Sequence, residues 1–359
     1  EEVFGELDYM VIGSVSAKAG TIINDIEITA AEEIKAYTET LDKIFPAKLP
    51  DVEEPADINQ PLYKVEMPLT APINIAKPRV FIPVFPGNNC EYDSAKAFAD
   101  AGADPHIFVV RNLTAQAIEE SVEAMVKQIA NSQIVMIPGG FSAGDEPDGS
   151  AKFIANVLKA GNISDEVMNL LKKRNGLVLG ICNGFQALVK TGLAVYGEIC
   201  DMQPDMPTLT YNKIGRHISR IVRTRVVSAS SPWALHPSVL EEKNHLIAIS
   251  HGEGRFVVDP VLAEKLFKNG QVFTQYVDEN GIPAITEPDN PNGSAYAIEG
   301  ITSPDGHVLG KMGHSERGVG LEANGSSFDL FKNVGGNPLK NKTESTCENI
   351  FAAGVAYFN

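Results

Sequence analysis

The chain has 359 residues, of which 43% are hydrophobic, and it carries a formal net charge of -16 at pH 7. This length predicts about two domains with enough apolar side chains for a large core. The acidic balance argues against a nucleic-acid or anionic-membrane binder, because both roles need a basic surface. No apolar run approaches the ~18 residues that span a bilayer. The 4 cysteines have no C-x-x-C spacing, so a reducing, cytoplasmic compartment fits best.

The first 45 residues predict a small piece of secondary structure rather than an independent domain. Residues 9–15 predict a strand, and Thr29 with Glu32 predicts a capping box at the start of a helix. So short a segment has too little apolar surface for a core of its own. Because the chain also begins without Met, we expect residues 1–45 to be the C-terminal tail of a larger synthetase domain. Frequent prolines predict a linker over residues 46–78.

The main domain is predicted over residues 79–359, where strands and helices alternate. The strands predicted in its first part are 80–85, 107–110, 134–137 and 177–181. This alternation predicts an α/β fold with an open, mostly parallel sheet, helices on both faces, and ligands bound off the carboxyl ends of the strands. Beyond Val195 the pattern is less regular, although strands are still predicted at 246–250 and 307–312.

The strand predicted at 177–181 ends in a turn that places Cys182 between Gly180 and Gly184. This pattern is the G-x-S-x-G nucleophile elbow with sulfur in place of the hydroxyl. The two glycines predict that the strand and the following helix pass too close for a Cβ atom. The helix N-terminus beside Cys182 favours its thiolate form. A buried structural cysteine is the alternative, and the flanking glycines favour a nucleophile over it.

A thiol nucleophile needs a base, and the base needs a carboxylate that orients it. Two pairs have suitable spacing at the ends of predicted strands: His314 with Glu316, and His251 with Glu253. The spacing alone does not choose between them. The same side chains lack the H-E-x-x-H and paired-cysteine patterns of zinc sites, so we expect no metal.

Acyl transfer also needs backbone N–H groups that stabilise a developing oxyanion. Gly139 and Gly140 follow the strand at 134–137, and Asn183 follows the nucleophile, so these residues are candidate donors. A plain turn after a strand is the alternative for the glycine pair.

Residues 213–225 form a basic segment in an otherwise acidic chain, with five Lys or Arg residues and no acidic one. A solvated strand face or a docking surface is favoured over a phosphate site, because the segment has no glycine cradle.

Four motifs together resemble the glutaminase domain of the phosphoribosylformylglycinamidine synthase family, the formylglycinamide ribonucleotide amidotransferases of purine biosynthesis. They are Gly180–Gln186, Gly139–Asp145, Ser250–Arg255 and Asn290–Ser294. The resemblance covers about residues 79–359 and implies a triad-type class I glutamine amidotransferase with a flavodoxin-like sheet. The N-terminal segment and the linker resemble the corresponding parts of the large single-chain form.

The resemblance implies a role for each site residue. Cys182 corresponds to the nucleophile, His314 to its base, and Glu316 to the carboxylate that orients the base. The remaining implied oxyanion or substrate contacts are Gly139, Gly140, Phe141, Asn183, Gln186 and His251. The family usually has Pro-His-Pro-Glu-Arg around the base, whereas this chain has Gly-His-Ser-Glu-Arg at 313–317. This difference questions the rigidity of the turn, because proline restricts φ and glycine does not.

The implied activity is hydrolysis of glutamine to glutamate and ammonia through a glutamyl thioester. The ammonia would pass to synthetase domains of the same polypeptide, which convert formylglycinamide ribonucleotide to formylglycinamidine ribonucleotide with ATP and magnesium. No cofactor is expected in the chain itself, and neither nucleic acid nor a membrane is expected as a partner. Two alternatives remain open: a stand-alone γ-glutamyl hydrolase, and a catalytically silent module that stabilises the synthetase.

Overall fold

The structure is a computed structural model that describes residues 8–39, 58–64, 70–142, 151–203, 205–240, 244–317 and 347–359. The chain divides into two compact units, Glu1–Pro50 and Asp51–Asn359.

The smaller unit contains a β-hairpin followed by a helix: β1 (Thr21–Ile23), β2 (Ile26–Ile28) and α1 (Ala30–Glu39). The predicted capping box at the start of α1 is confirmed. The Thr29 N–H donates to Glu32 Oε2 at 2.8 Å, and the Glu32 N–H donates to Thr29 Oγ1 at 3.3 Å. The strand predicted at 9–15 is wrong, because these residues are exposed and pair with no strand in the part of the chain that the structure describes.

The described part of the larger unit is built on a nine-stranded sheet with the order β4-β3-β5-β6-β13-β12-β11-β8-β9. Its strands are β3 (Arg79–Val84), β4 (Asp104–Val109), β5 (Ile134–Ile137), β6 (Leu177–Ile181), β8 (Ile218–Val226), β9 (His245–His251), β11 (Val272–Tyr276), β12 (Ile298–Thr302) and β13 (Val308–Lys311). A separate antiparallel pair consists of β7 (Thr208–Thr210) and β10 (Arg255–Val257).

The sheet has a parallel half and an antiparallel half. Strands β4, β3, β5, β6 and β13 are parallel neighbours, and the pairs from β13 to β9 are antiparallel. Only β12 and β8 run against the others, so seven of the nine strands point the same way. The predicted α/β fold with a mostly parallel sheet is confirmed. The region that looked irregular beyond Val195 supplies the antiparallel half.

The α-helices that the structure describes in the larger unit lie between and after these strands. They are α2 (Glu91–Asp100), α3 (Ala115–Ala130), α4 (Lys152–Leu158), α5 (Gly161–Lys173), α6 (Asn183–Lys190), α7 (Leu193–Tyr196), α8 (Pro237–Leu240), α9 (Pro260–Lys268) and α10 (Ile350–Ala356). Helix α3 packs against α5, and α6 packs against α4 and α7. Every residue of β5 and β6 is buried, as expected for central parallel strands that are covered on both faces. Among the described residues, no helix is long and apolar enough to cross a membrane.

The described part of the predicted linker lies on the larger unit. Tyr63 forms a parallel bridge with Ser228, and the Ala71 N–H donates to the carbonyl of Tyr357 at 2.8 Å. Residues 46–57 of the linker are outside the described part of the chain. The boundaries at residues 45 and 78 therefore stay predictions.

Part of the basic segment holds this linker. Arg225, on β8, donates to Asn59 Oδ1 at 2.7 Å, to the Gln60 carbonyl at 3.2 Å and to Gln275 Oε1 at 3.0 Å. At this position the segment is a docking surface for the chain's own linker.

Candidate active site

Strands β3, β5, β6, β13 and β9 point the same way, so the residues that follow them gather at one edge of the sheet. Two isolated bridges join these ends, Asn88 with Gly140 and Ala248 with His314. A Cβ atom placed on Gly139 would lie 2.9 Å from His314 Cε1 and 3.4 Å from Cys182 Cβ. The structure thus brings the predicted nucleophile, base and glycine loop together.

Cys182 has backbone angles of φ 54° and ψ −105°, a conformation that residues with a Cβ rarely adopt. Its N–H donates to the Lys311 carbonyl at 2.8 Å, and its side chain is 4% exposed. Strain of this kind is found at functional turns that the surrounding structure holds in place. The geometry matches a nucleophile elbow, with the side chain between β6 and the first turn of α6.

Two glycines let helix α6 lie close to strands β5 and β6 at this turn. A Cβ on Gly184 would lie 2.0 Å from the carbonyl oxygen of Ile137 on β5, and a Cβ on Gly180 of β6 would lie 2.6 Å from Leu188 Cδ1 on α6. Both separations are shorter than any normal contact, so the close approach predicted from the G-x-C-x-G pattern is confirmed.

His314 and Glu316 form a buried hydrogen-bonded pair. His314 Nδ1 lies 2.5 Å from Glu316 Oε1, and the two residues are 2% and 4% exposed. Because an ionised carboxylate only accepts hydrogen bonds, Nδ1 carries the hydrogen. His314 Nε2 is buried and makes no hydrogen bond within the described residues. The ring therefore presents an uncommitted nitrogen on the side opposite its carboxylate.

Electrostatics favour a charged pair at this position. Burial is the largest single influence and opposes the charge on His314, but the charge of Glu316 and the hydrogen bonds of Cys182, Cys90 and Glu316 together outweigh it and hold the pKa of His314 well above its usual 6.5. Burial likewise opposes ionisation of Glu316, but the charge and hydrogen bond of His314 hold the pKa of this carboxyl below 4.5. The imidazolium and the carboxylate stabilise each other.

His251 is paired with an amide instead of a carboxylate. Its Nδ1 lies 3.0 Å from Oδ1 of Asn212. The side-chain nitrogen of the same asparagine donates to the His251 carbonyl at 2.8 Å. This orientation of the amide makes Nδ1 the protonated nitrogen. Burial, followed by the neighbouring charges of His314 and His217, lowers the pKa of His251 to about 3. His251 is therefore a neutral ring at the end of β9, and its role at the substrate pocket stays a prediction.

The glycine loop after β5 lies against the loop after β3. Gly140 has φ 136°, and a Cβ on it would lie 2.5 Å from Asn88 Cα. The Phe141 N–H donates to the Gly87 carbonyl at 2.8 Å, which is a bond of the bridge between Gly140 and Asn88. The backbone here has no room for a side chain, and no acceptor for the Gly140 N–H is seen within the described residues.

Asn183 and Gln186 connect helix α6 to the surrounding loops. Asn183 is the first residue of α6, where backbone N–H groups have no acceptor inside the helix. Its side-chain nitrogen donates to Gln186 Oε1 at 2.9 Å, and its Oδ1 accepts from the Ser142 N–H at 3.3 Å. Gln186 Nε2 donates to the Glu253 carbonyl at 2.7 Å. The oxyanion role of Asn183 and the substrate contact of Gln186 stay predictions.

Sequence reasoning missed a second thiol beside the base. Cys90 is 1% exposed, its Sγ lies 3.8 Å from His314 Nδ1, and it accepts a hydrogen bond from Arg317 Nη2 at 3.3 Å. The available signal was its position in the loop after β3, at the same edge of the sheet. Donor atoms of Cys90, His314 and Glu316 lie within 4.8 Å of one another, close enough to hold a metal ion. The short His314–Glu316 hydrogen bond already occupies two of them.

Comparisons with known proteins agree with this geometry. Residues 77–358 match the model of the CobB/CobQ-like glutamine amidotransferase domain. Phosphoribosylformylglycinamidine synthase subunit PurQ from Methanococcus maripaludis is 32% identical over 286 residues, covering 79% of this chain and 98% of that protein. The subunit of the same name from Treponema denticola is 34% identical over 294 residues, covering 78% and 99%.

One solved structure is similar over the same part of the chain. A chain in the structure of PurLQS from Thermotoga maritima is 24% identical, with a TM-score of 0.50, and the match covers 79% of this chain and 100% of that one. This likeness supports the fold. The matched domain and the sequence relatives show that the chain is an enzyme of the CobB/CobQ-like glutamine amidotransferase family, related to phosphoribosylformylglycinamidine synthase subunit PurQ.

Proposed function

We propose that the chain is the glutaminase part of a cytoplasmic phosphoribosylformylglycinamidine synthase. It hydrolyses glutamine to glutamate and ammonia, and the ammonia passes to a synthetase that converts formylglycinamide ribonucleotide to formylglycinamidine ribonucleotide with ATP and magnesium. The observation that carries the proposal is the row of thiol, imidazole and carboxylate formed by Cys182, His314 and Glu316. The relatives named PurQ support the choice of reaction.

The first half of the reaction makes a thioester. The raised pKa of His314 favours an imidazolium, and the nucleophile in the proposed step is the thiolate of Cys182, the reactive form of a cysteine. The sulfur attacks the side-chain carbonyl carbon of glutamine, and the carbonyl oxygen becomes an oxyanion that accepts hydrogen bonds from the N–H groups of Gly140 and Asn183. His314 Nε2 then gives its proton to the departing nitrogen, the C–N bond breaks, and ammonia leaves.

The second half returns the enzyme to its starting state. The now neutral His314 takes a proton from water as the water oxygen attacks the thioester carbon. The C–S bond breaks, the new carboxyl group loses its proton to solvent as glutamate leaves, and Cys182 is again a thiolate beside an imidazolium. Through both halves Glu316 keeps the hydrogen on Nδ1 and stabilises the positive ring, so that Nε2 performs every proton transfer.

The synthetase is proposed to belong to the same polypeptide, with residues 1–45 as its C-terminal tail. Support comes from the smaller unit, where Ile22, Ile26 and Tyr37 are 61%, 67% and 91% exposed. Apolar side chains left this open fit the edge of a larger domain better than an independent one. The ATP and magnesium sites would lie in the synthetase, and the glutaminase chemistry above uses only side chains and backbone groups of this chain.

The test is Cys182→Ala in the complete synthase. We expect the glutamine-dependent rate to fall by at least about 10^4-fold, and the rate with free ammonia to stay unchanged, because the synthetase site is intact. Cys200→Ala is the control, since this half-buried thiol lies outside the site. If the chain is a catalytically silent module, neither the glutamine-dependent rate nor the rate with free ammonia changes. If it is a stand-alone hydrolase, the synthetase does not use ammonia made by this chain, so the synthetase reaction does not depend on Cys182.

A further inference from the structure

Three charged side chains are buried directly behind the turn that carries His314. Lys311 Nζ lies 2.6 Å from Glu348 Oε1 and 3.5 Å from Glu299 Oε1, and all three side chains are 0% exposed. We call Lys311, Glu299 and Glu348 the lysine cluster. None of them takes part in the glutamine chemistry described above. Buried ions lose their hydration, and apolar side chains of similar volume usually stabilise a core as well or better. General stability is therefore a poor explanation for these three buried charges.

The lysine cluster binds the residues on both sides of the catalytic histidine. The Gly313 N–H donates to Glu299 Oε1 at 2.5 Å. Lys311 Nζ donates to Ser315 Oγ at 2.9 Å, and Ser315 Oγ donates to Glu348 Oε1 at 3.1 Å. The turn is thus held one residue before and one residue after His314.

The third attachment of the turn is to the neighbouring strand. The His314 N–H donates to the Ala248 carbonyl of β9 at 2.8 Å. Three consecutive residues are therefore fixed from two directions, by the lysine cluster and by β9. The cluster also extends to the nucleophile, because the Lys311 carbonyl accepts the N–H of Cys182 at 2.8 Å.

The same contacts account for the glycine at 313, where the family usually has a proline. A Cβ on Gly313 would lie 2.2 Å from Ile247 Cγ2 and 2.9 Å from Glu299 Oε1, so a proline ring has no room there. A proline would also lack the N–H that Glu299 binds. Hydrogen bonds to charged side chains hold this turn in place, a role that the restricted backbone angle of a proline would otherwise have.

The charges of the cluster are mutually supporting. Burial opposes the charge on Lys311, but Glu299 and Glu348 outweigh it and hold the pKa of the ammonium above 10.5. Burial also opposes ionisation of Glu348, but Lys311 and then His245 hold its pKa below 4.5. Lys311 and Glu348 thus stay ionised around neutral pH, and the hydrogen bonds to the turn persist.

On the basis of the function proposed above, we propose that Lys311, Glu299 and Glu348 are positioning residues for the glutaminase reaction. They hold the Gly313–Ser315 turn so that His314 Nε2 faces Cys182. They touch neither the substrate nor the reacting atoms. Their effect is on the rate of proton transfer and not on glutamine binding, since small misplacements of a catalytic group mainly slow the chemical step.

The test is a neutral version of the cluster, with Glu299→Gln, Lys311→Met and Glu348→Gln combined, measured in the complete synthase. The three replacements keep side-chain size and remove all three charges of the lysine cluster together. We expect kcat for glutamine hydrolysis to fall about 10- to 100-fold, KM for glutamine to stay within about twofold, and the rate with free ammonia to stay unchanged. The control combines Lys96→Met with Asp100→Asn, which neutralises an exposed ion pair on α2 and should change none of these values.

A second variant keeps the proposal testable if the triple variant does not fold. Ser315→Ala leaves the charges paired and removes only the hydroxyl that joins the turn to Lys311 and Glu348; we expect a smaller loss in kcat at unchanged KM. Wild-type kcat in a folded triple variant would overturn the proposal, as would wild-type kcat in Ser315→Ala when the triple variant is unfolded. In either case the proposed function would stand. A wild-type synthase that cannot use glutamine would overturn both.

Discussion

The nucleophile and the base lie at the ends of neighbouring parallel strands, β6 and β13, yet different forces hold them. The Cys182 turn is positioned by close backbone contacts that only Gly180 and Gly184 permit. The His314 turn is positioned by buried charges and by a hydrogen bond to β9. The Cys182 turn therefore depends mainly on steric fit, whereas the His314 turn depends on buried charges in addition to the close packing of Gly313. We therefore expect the Cys182 turn to be disrupted by added side-chain volume and the His314 turn by the loss of charge.

The largest effect is expected from Gly184→Ala, which breaks the steric half. The new Cβ would lie 2.0 Å from the Ile137 carbonyl oxygen, so helix α6 must move away from β5 and carry the Cys182 turn with it. We expect the free energy of unfolding to fall by about 1–3 kcal/mol, and glutamine-dependent activity to fall with it. Chemical denaturation and a glutaminase assay measure the two effects.

Gly161→Ala is the matched control for this prediction. Gly161 begins helix α5, and a Cβ there would meet nothing within 4 Å. The variant should be as stable as the wild type or more stable by about 0.4–1 kcal/mol. If Gly184→Ala behaves like this control, the close approach of β5 and α6 is not what places the nucleophile.

A smaller effect is expected from Glu316→Gln, which weakens the electrostatic half in a pH-dependent way. The pKa of Glu316 is lowered, so its stabilising contribution is present above pH 4.5 and is lost as the pH falls through the folded-state value. The pKa of His314 is raised, so its contribution is fully present below pH 6.5 and is lost as the pH rises through the folded-state value. The pair is thus most stabilising between pH 4.5 and 6.5.

Denaturant unfolding of the wild type and of Glu316→Gln from about pH 4 to about pH 9 measures this contribution. The difference between the two proteins should be greatest between pH 4.5 and 6.5 and should shrink on either side. A difference that is constant with pH would mean that His314 and Glu316 are not an ion pair.

The same contrast explains how much could be predicted from the sequence. The parallel half of the sheet was predictable because each strand is a short apolar run bounded by turn residues, and β5 has the bounds that its run of apolar residues indicates. The Cys182 turn was predictable because its glycines lie within two residues of it. Close contacts made by neighbouring residues can thus be predicted from a short sequence motif.

The contacts around the His314 turn could not be predicted, because they join residues that are distant in sequence. Cys90 lies 224 residues before His314, and Ser315 lies 33 residues before Glu348, so no spacing links them. A lysine at the end of an apolar strand gives no sign that two carboxylates will enclose it. Spacing did not choose between His314 and His251, and the choice of His314 came from the resemblance. The structure supplies the physical difference, because His314 receives a carboxylate and His251 an amide.

The most direct measurement of the central claim is covalent trapping of the nucleophile in the complete synthase. A diazo or chloro ketone that mimics glutamine is added with and without excess glutamine, and the modified peptide is identified by mass spectrometry. We expect a single adduct on Cys182 that glutamine suppresses, with Cys90 unmodified although it is also beside His314. An unmodified Cys182, or an adduct on Cys90 that glutamine suppresses, would contradict it.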